Sequence, residues 1–152
     1  MKNKIILHLC ADIGSDTKPY SDAGYTVIKV GIDIGVENFI PPENVHGVIA
    51  NPVCTEFSTA SGFHKTGDLE KGMFLVNHCL RIIKECDPKF WVIENPASGR
   101  LKQFLGKPSL AFLHKSAIKH IPEFSEFTVE DDAGFRSLCS QGFAKAFFEV
   151  NR

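Results

Sequence analysis

No apolar run in this chain approaches the roughly 18 residues that a membrane span requires. Met1-Lys2-Asn3-Lys4 leads straight into a strand-like segment rather than into the apolar core of a signal peptide. A chain without membrane contact is therefore expected. The five cysteines, Cys10, Cys54, Cys79, Cys86 and Cys139, are odd in number and show no C-x-x-C spacing. That pattern supports neither a disulfide framework nor a zinc site, and a reducing cytoplasm is the natural compartment. His64, His78, His114 and His120 lack the spacing of metal ligands, so no metal is expected. No G-K-[ST] follows Gly31 and Gly35, which excludes a phosphate loop there. Ser15, Ser58 and Ser61 have no G-x-S-x-G around them, which leaves a serine nucleophile unsupported. A formal net charge of −1 lacks the basic bias of a stand-alone nucleic-acid binder. No repeat, low-complexity tract or linker divides the chain, and residues 1–152 read as a single domain.

What is present is an alternation of short apolar runs and amphipathic stretches. Hydrophobic content of 43% with 23% charge suits a packed globular chain and argues against disorder or a fibrous repeat. Residues 5–10 form a near-continuous apolar run, as in a strand covered on both faces. A turn containing Gly14 leads to a short helix over 17–23 that Gly24 stops. Residues 25–30 are β-branched and read as a second strand, 31–35 as a short strand or a loop, and 46–50 as the next strand. The clearest helix is 69–86, with Leu69, Met73, Val76, Leu80 and Ile83 on one buried face and Cys79 and Cys86 as core thiols. Pro88 ends it, 89–94 is a strand, and 141–150 is a closing amphipathic helix. Such alternation predicts parallel β-α units with right-handed crossovers. In sheets of that kind ligands collect beyond the carboxyl ends of the strands.

Two of those strand ends carry chemistry. Cys54 sits in Asn51-Pro52-Val53-Cys54-Thr55-Glu56-Phe57-Ser58, too polar a segment for a strand interior. Pro52 stiffens the backbone there, and a loop position leaves the sulfur approachable. Most lone cysteines are small buried hydrophobes; a nucleophilic one needs positive charge or a helix N-terminus nearby, and Lys65 is the candidate by sequence proximity. Glu94 closes Phe90-Trp91-Val92-Ile93 and precedes Asn95-Pro96. A carboxyl at that point is poorly solvated and suited to proton donation, although an ordinary strand-end Glu bonded to loop amides fits equally well. Taken together, nucleophile and acid suggest covalent attack on an electrophilic ring that is protonated as it is attacked.

The same residues carry a resemblance. Leu9-Cys10-Ala11-Asp12-Ile13-Gly14-Ser15, with Lys18-Pro19-Tyr20 and Ala23-Gly24-Tyr25, resembles the cofactor-binding start of a phage-type cytosine-5 DNA methyltransferase. Pro52-Val53-Cys54-Thr55-Glu56-Phe57-Ser58 is similar to that family's nucleophile loop, and Phe90-Trp91-Val92-Ile93-Glu94-Asn95-Pro96 to its Glu-Asn motif. Leu105-Gly106-Lys107-Pro108, and Arg136-Ser137-Leu138 leading to Gly142-Phe143-Ala144, follow in family order. The resemblance implies a three-layer Rossmann-like α/β sandwich with a mostly parallel sheet, a class I methyltransferase fold lacking some strands. It implies S-adenosylmethionine as cofactor, held by Cys10, Ala11, Asp12, Gly14, Ser15, Asp33, Asn51 and Pro52. Cys54 and Glu94 would be catalytic, and Ser58, Asn95 and Arg100 would bind the substrate, DNA.

The departures from the family pattern support a rival expectation. His8 stands where the family usually has Asp, Asp12 where it has Gly, Gly35 about where it has an acid, and Val53 where it has Pro. Asp33 is the nearest substitute for the acid at Gly35. The stretch between Lys107 and Arg136 is short for a target-recognition segment, and Gln-x-Arg-x-Arg has no clear counterpart. A partner chain supplying target recognition accommodates that gap. A catalytically degenerate fold serving as a nucleic-acid or protein binding module accommodates all of it. Residues 100–122 hold no acid but contain Arg100, Lys102, Lys107, Lys115 and Lys119, a candidate phosphate-facing side or a solvated face balanced by Glu123 and Glu126.

Overall fold

The computed structural model describes residues 4–11, 13–58, 67–96, 99–106, 139 and 141–152. Strands β1 (Ile5–Leu9), β2 (Thr26–Val30), β3 (Val45–Ala50) and β4 (Phe90–Ile93) form one sheet, parallel throughout, in the order β2-β1-β3-β4. The α/β class expected from the alternation is what the described residues form. Parallel neighbours cannot be joined by a hairpin, so each connection crosses over a face of the sheet. Helix α1 (Lys18–Asp22) lies in the β1–β2 crossover and α2 (Leu69–Cys86) in the β3–β4 crossover. Residues 31–44 carry the chain past β1 to the other side of the sheet. They make turns rather than the short strand weighed as one alternative. The change of direction puts a crevice between the carboxyl ends of β1 and β3, the place where open α/β sheets bind ligands.

The period-two alternation of the central strands sorts the core into two layers. Leu7, Leu9, Val48 and Ala50 point to one face and pack with Val30 and with Cys79, Ile82 and Ile83 of α2. Ile6 and Ile49 point to the other, where Tyr20 of α1 meets Phe147 and Phe148 of α4 (Gln141–Asn151). The first layer is aliphatic and the second aromatic, with the Tyr20 ring stacked on Phe90 and edge-on to Tyr25 and Phe148. Gly47 permits this: a side chain there would strike the Phe90 ring, which lies directly over β3.

Helix α2 begins where Asp68 caps it, accepting a bond from Lys71 N at 3.1 Å. It ends at Asp87, in a left-handed conformation, with Pro88 next. Its apolar stripe is wider than the sequence pattern suggests. Val76, Cys79, Ile82 and Ile83 are buried, while Leu69, Met73 and Leu80 pack beside a separate cluster of Phe57, Val76 and Leu101. That second cluster is the seat of the loop after β3. Helix α3 (Lys102–Leu105) follows Leu101 and was not anticipated from sequence. Among the described residues no helix is long and apolar enough to cross a membrane.

Candidate functional site

Two loops meet above the β1–β3 crevice, and they are built differently. The turn after β1 opens at Cys10, whose φ of +52° is unusual for a residue with a Cβ. Ala11 N donates to Val30 O at 3.1 Å, tying the turn to β2. Gly14, with φ of +85°, lets the chain fold back, and Lys29 Nζ donates to Ile13 O at 2.9 Å while its stem covers the Gly14 Cα. Beneath them lies a buried polar network. His8, fully buried in β1, has Nδ1 3.2 Å from Thr17 Oγ1 and Nε2 3.4 Å from Asp16 Oδ1. The Thr17 hydroxyl is also 3.2 Å from Gly14 O, and its one proton serves either that carbonyl or the imidazole.

The loop after β3 is held from outside. Asn51 N donates to Leu9 O, and Asn51 Nδ2 donates to Asp16 Oδ2 at 2.8 Å, bridging the two loops. Pro52 O accepts from Asn95 Nδ2 at 3.0 Å. Cys54 is half-buried at the head of a tight turn, its carbonyl accepting from Phe57 N and Ser58 N. Phe57, fully buried under α2, anchors the turn, and Gly72 leaves room for its ring. Arg100 closes the base: its Nη2 donates to Glu56 O at 2.8 Å and to Gly67 O at 3.2 Å. Its own N–H donates to Phe57 O. Glu94 leaves β4 beside this loop. Ala50 pairs with Ile93 in register, and Glu94 N donates to Ala50 O at 2.8 Å.

The structure thus brings Asn51, Pro52, Cys54, Glu94, Asn95 and Arg100 to one side-by-side pair of strand ends, with Gly14 and Ser15 across the crevice. Ser15 is buried, and its Oγ accepts from Cys139 N at 2.7 Å. Ser58 is half-buried beyond the Cys54 turn. Asp33 lies exposed in the turn after β2. Asp12, Lys65 and the basic positions Lys107, Lys115 and Lys119 lie outside the described residues. Of the basic stretch, the described Lys102 is exposed, whereas the Arg100 guanidinium is turned to the carbonyls of Glu56 and Gly67.

Two participants, Asp16 and Glu37, were not singled out from sequence, and a third, Cys79, was read only as a core thiol. Asp16 joins both loops through His8 and Asn51. Glu37 is exposed, yet its charge acts on the Cys10 thiol. Cys79 holds its sulfur 3.8 Å from that of Cys10. The only sequence signal for Asp16 was its place in the polar Ser-Asp-Thr run that opens α1; nothing in sequence pairs Glu37 or Cys79 with Cys10. Two acceptors, Asn51 Oδ1 and Asn95 Oδ1, are buried without a hydrogen-bond partner among the described residues. Each sits on a side chain whose Nδ2 is already committed, so each carbonyl oxygen is held in a fixed direction. Compared with models of known protein families and with curated proteins, the chain gives no match.

Proposed function

We propose that the chain is a cytosine-5 DNA methyltransferase with a Rossmann-like class I fold. The observation that carries the reading is the pairing of the Cys54 and Glu94 segments. They leave adjacent parallel strands in register and are joined by Asn95 Nδ2 donating to Pro52 O at 3.0 Å. Cys54 Sγ attacks cytosine C6 and opens the C5–C6 double bond, while Glu94 holds a proton at N3 so that electron density gathers at C5. When bound, S-adenosylmethionine supplies the electrophilic methyl group that C5 accepts. Solvent water then takes the C5 proton, its electron pair re-forms the C5–C6 double bond as the Sγ–C6 bond breaks, Cys54 leaves as a thiolate, and the N3 proton returns to Glu94. A cytosine inside a duplex is out of reach of such a pair, so the base is flipped out or already single-stranded.

The crevice suits the proposed cofactor at its amino-acid end. Asn51 Oδ1 is a buried acceptor without a partner among the described residues, and the Asp16 carboxylate is bonded to the same side chain. An acceptor beside an anion fits an ammonium group. Gly14 lacks a side chain at the turn, and a ligand would reach its backbone by displacing the Lys29 ammonium that covers it. Asp33 and Glu37, both on the connection after β2, are the acids available for the ribose and adenine end.

A second reading, a binding module without catalysis, is favoured by groups already committed within the protein. Lys29 covers Gly14, Cys139 N occupies Ser15 Oγ, and Arg100 is spent on two carbonyls. The deciding experiment incubates the protein with S-adenosylmethionine and DNA containing 5-fluorocytosine, which blocks release of the covalent intermediate. A denaturation-resistant protein–DNA adduct that Cys54→Ala abolishes is the expected result. No adduct, together with no calorimetric binding of S-adenosylmethionine at micromolar protein, overturns the enzyme reading in favour of the module.

A further inference from the structure

We propose that Cys10 and Cys79 form an oxidisable dithiol, which a peroxide-class two-electron oxidant converts to a disulfide linking the end of β1 to α2. The two sulfurs stand 3.8 Å apart although the residues are 69 positions apart in sequence. A disulfide needs them at roughly 2.05 Å, a closure within reach of side-chain rotation and a small backbone shift. The roles within the pair are unequal. Cys10 is partly exposed just past the carboxyl end of β1, and Cys79 is fully buried on the sheet-facing side of α2. Oxidant therefore reaches Cys10 first, and Cys79 is placed behind it to resolve.

Two further observations agree with that order. The Cys10 backbone is held left-handed at φ +52°, a strained conformation of the kind that clusters at functional positions. The hydrogen bond from Cys79 holds the Cys10 thiol below its ordinary pKa, against the opposing effects of burial and of the Glu37 charge. The same bond, with burial, pushes the Cys79 thiol up, so of the two Cys10 gives up its proton more readily. Cys10, the more exposed and the more readily deprotonated of the two, is the attacking nucleophile, and Cys79 is its resolving neighbour.

The chemistry balances in two steps. The Cys10 thiolate attacks one oxygen of hydrogen peroxide, the O–O bond breaks, and hydroxide leaves, giving Cys10 sulfenic acid. Cys79 sulfur then attacks the Cys10 sulfur. The S–O bond breaks, and the departing hydroxyl takes the Cys79 proton as water. Two thiols are oxidised by two electrons, and one peroxide is reduced to two waters once the first hydroxide is protonated by solvent. This step depends on the sulfur geometry alone and not on methyl transfer.

The test treats the native, fully reduced protein with stoichiometric hydrogen peroxide, blocks remaining thiols, and maps peptides without reductant. The expected product is lighter by two hydrogens, keeps Cys54, Cys86 and Cys139 alkylatable, and joins the Cys10 peptide to the Cys79 peptide. Thiol reductant should reverse it. Cys79→Ser should stop at a sulfenic acid on Cys10, trapped by dimedone, and Cys10→Ser should give no link to Cys79. The wild-type map decides the matter even where a variant fails to fold. A link between any other pair, first oxidation at Cys54, or five intact thiols after the peroxide is consumed would overturn the proposal.

Discussion

The turn after β1 and the loop after β3 face each other across one crevice, yet they are stabilised by opposite means. The first is built mainly around a buried side-chain network close in sequence, His8 from β1 with Thr17 and Asp16 from the entry to α1, and is braced by the adjoining strand β2 through Val30 and Lys29. The second is pinned by distant elements, Asn95 beyond β4 and Arg100 before α3. A locally built turn is part of the core, and damage to it is expected to appear as lost stability. A loop pinned at its rim can be loosened while the sheet stays folded, so damage there is expected to appear as lost activity. The bridge from Asn51 Nδ2 to Asp16 Oδ2 is where the two regimes meet.

The largest effect is expected at His8. Replacing it with Ala leaves a cavity in a fully buried position and removes the imidazole from both Thr17 and Asp16. A loss of about 3 kcal/mol in urea-unfolding stability is expected, from cavity formation plus disrupted buried polar groups. If His8→Ala unfolds at the wild-type urea midpoint, the β1 turn is not the core element described, and the contrast between the loops collapses. Next comes Arg100→Ala, which frees Glu56 O and Gly67 O at the base of the Cys54 loop. Each bond from a charged donor contributes roughly 1.5–3 kcal/mol. Because these part-buried bonds brace the loop after β3 rather than the sheet, the expected outcome is a fall of about tenfold or more in the rate of adduct formation, with the unfolding midpoint lowered less than in His8→Ala. Arg100→Lys should not rescue it, since one ammonium cannot match the guanidinium's planar fork. An Arg100→Ala protein that loses stability as His8→Ala does would make both loops core elements.

How much of this was legible in sequence follows the same division. Strand and helix positions were readable because burial on two faces writes continuous apolar runs into β1 and β3 and a 3–4 pattern into α2. The pairing of the Cys54 and Glu94 segments was readable because each directly follows such a run. His8 looked like a mere departure, since a sequence does not show that Asp16 returns beneath the strand to face it. Arg100 was assigned to the substrate as part of what the resemblance implies, and to a candidate phosphate-facing stretch on charge. Its two carbonyl partners belong to a loop whose closure depends on tertiary packing of Phe57 under α2. The width of the α2 stripe was underestimated for that reason too: Leu69, Met73 and Leu80 serve the loop cluster rather than the sheet.

The smallest effect sharpens the comparison by removing the opposite end of the sheet from it. His46 lies buried at the amino end of β3, with Nε2 3.1 Å from Asn151 O of α4. Burial lowers its pKa, the charges of Lys4 and Lys89 push the same way, and the bond to Asn151 O opposes them. The folded protein therefore takes up the His46 proton less readily than the unfolded chain, whose imidazole titrates near pH 6.5. Above that pH both states are neutral at His46 and its contribution is whole. As pH falls through the unfolded value toward the lower folded one, the unfolded state binds the extra proton and stability declines, by at most about 1.4 kcal/mol per pH unit. Below the folded value the loss levels off. His46→Gln should flatten the segment of the stability curve that falls away below about pH 6.5, read as the difference from wild type in urea midpoints at each pH. If the decline persists in His46→Gln, the pH sensitivity belongs to other groups and the amino end of β3 is not its source.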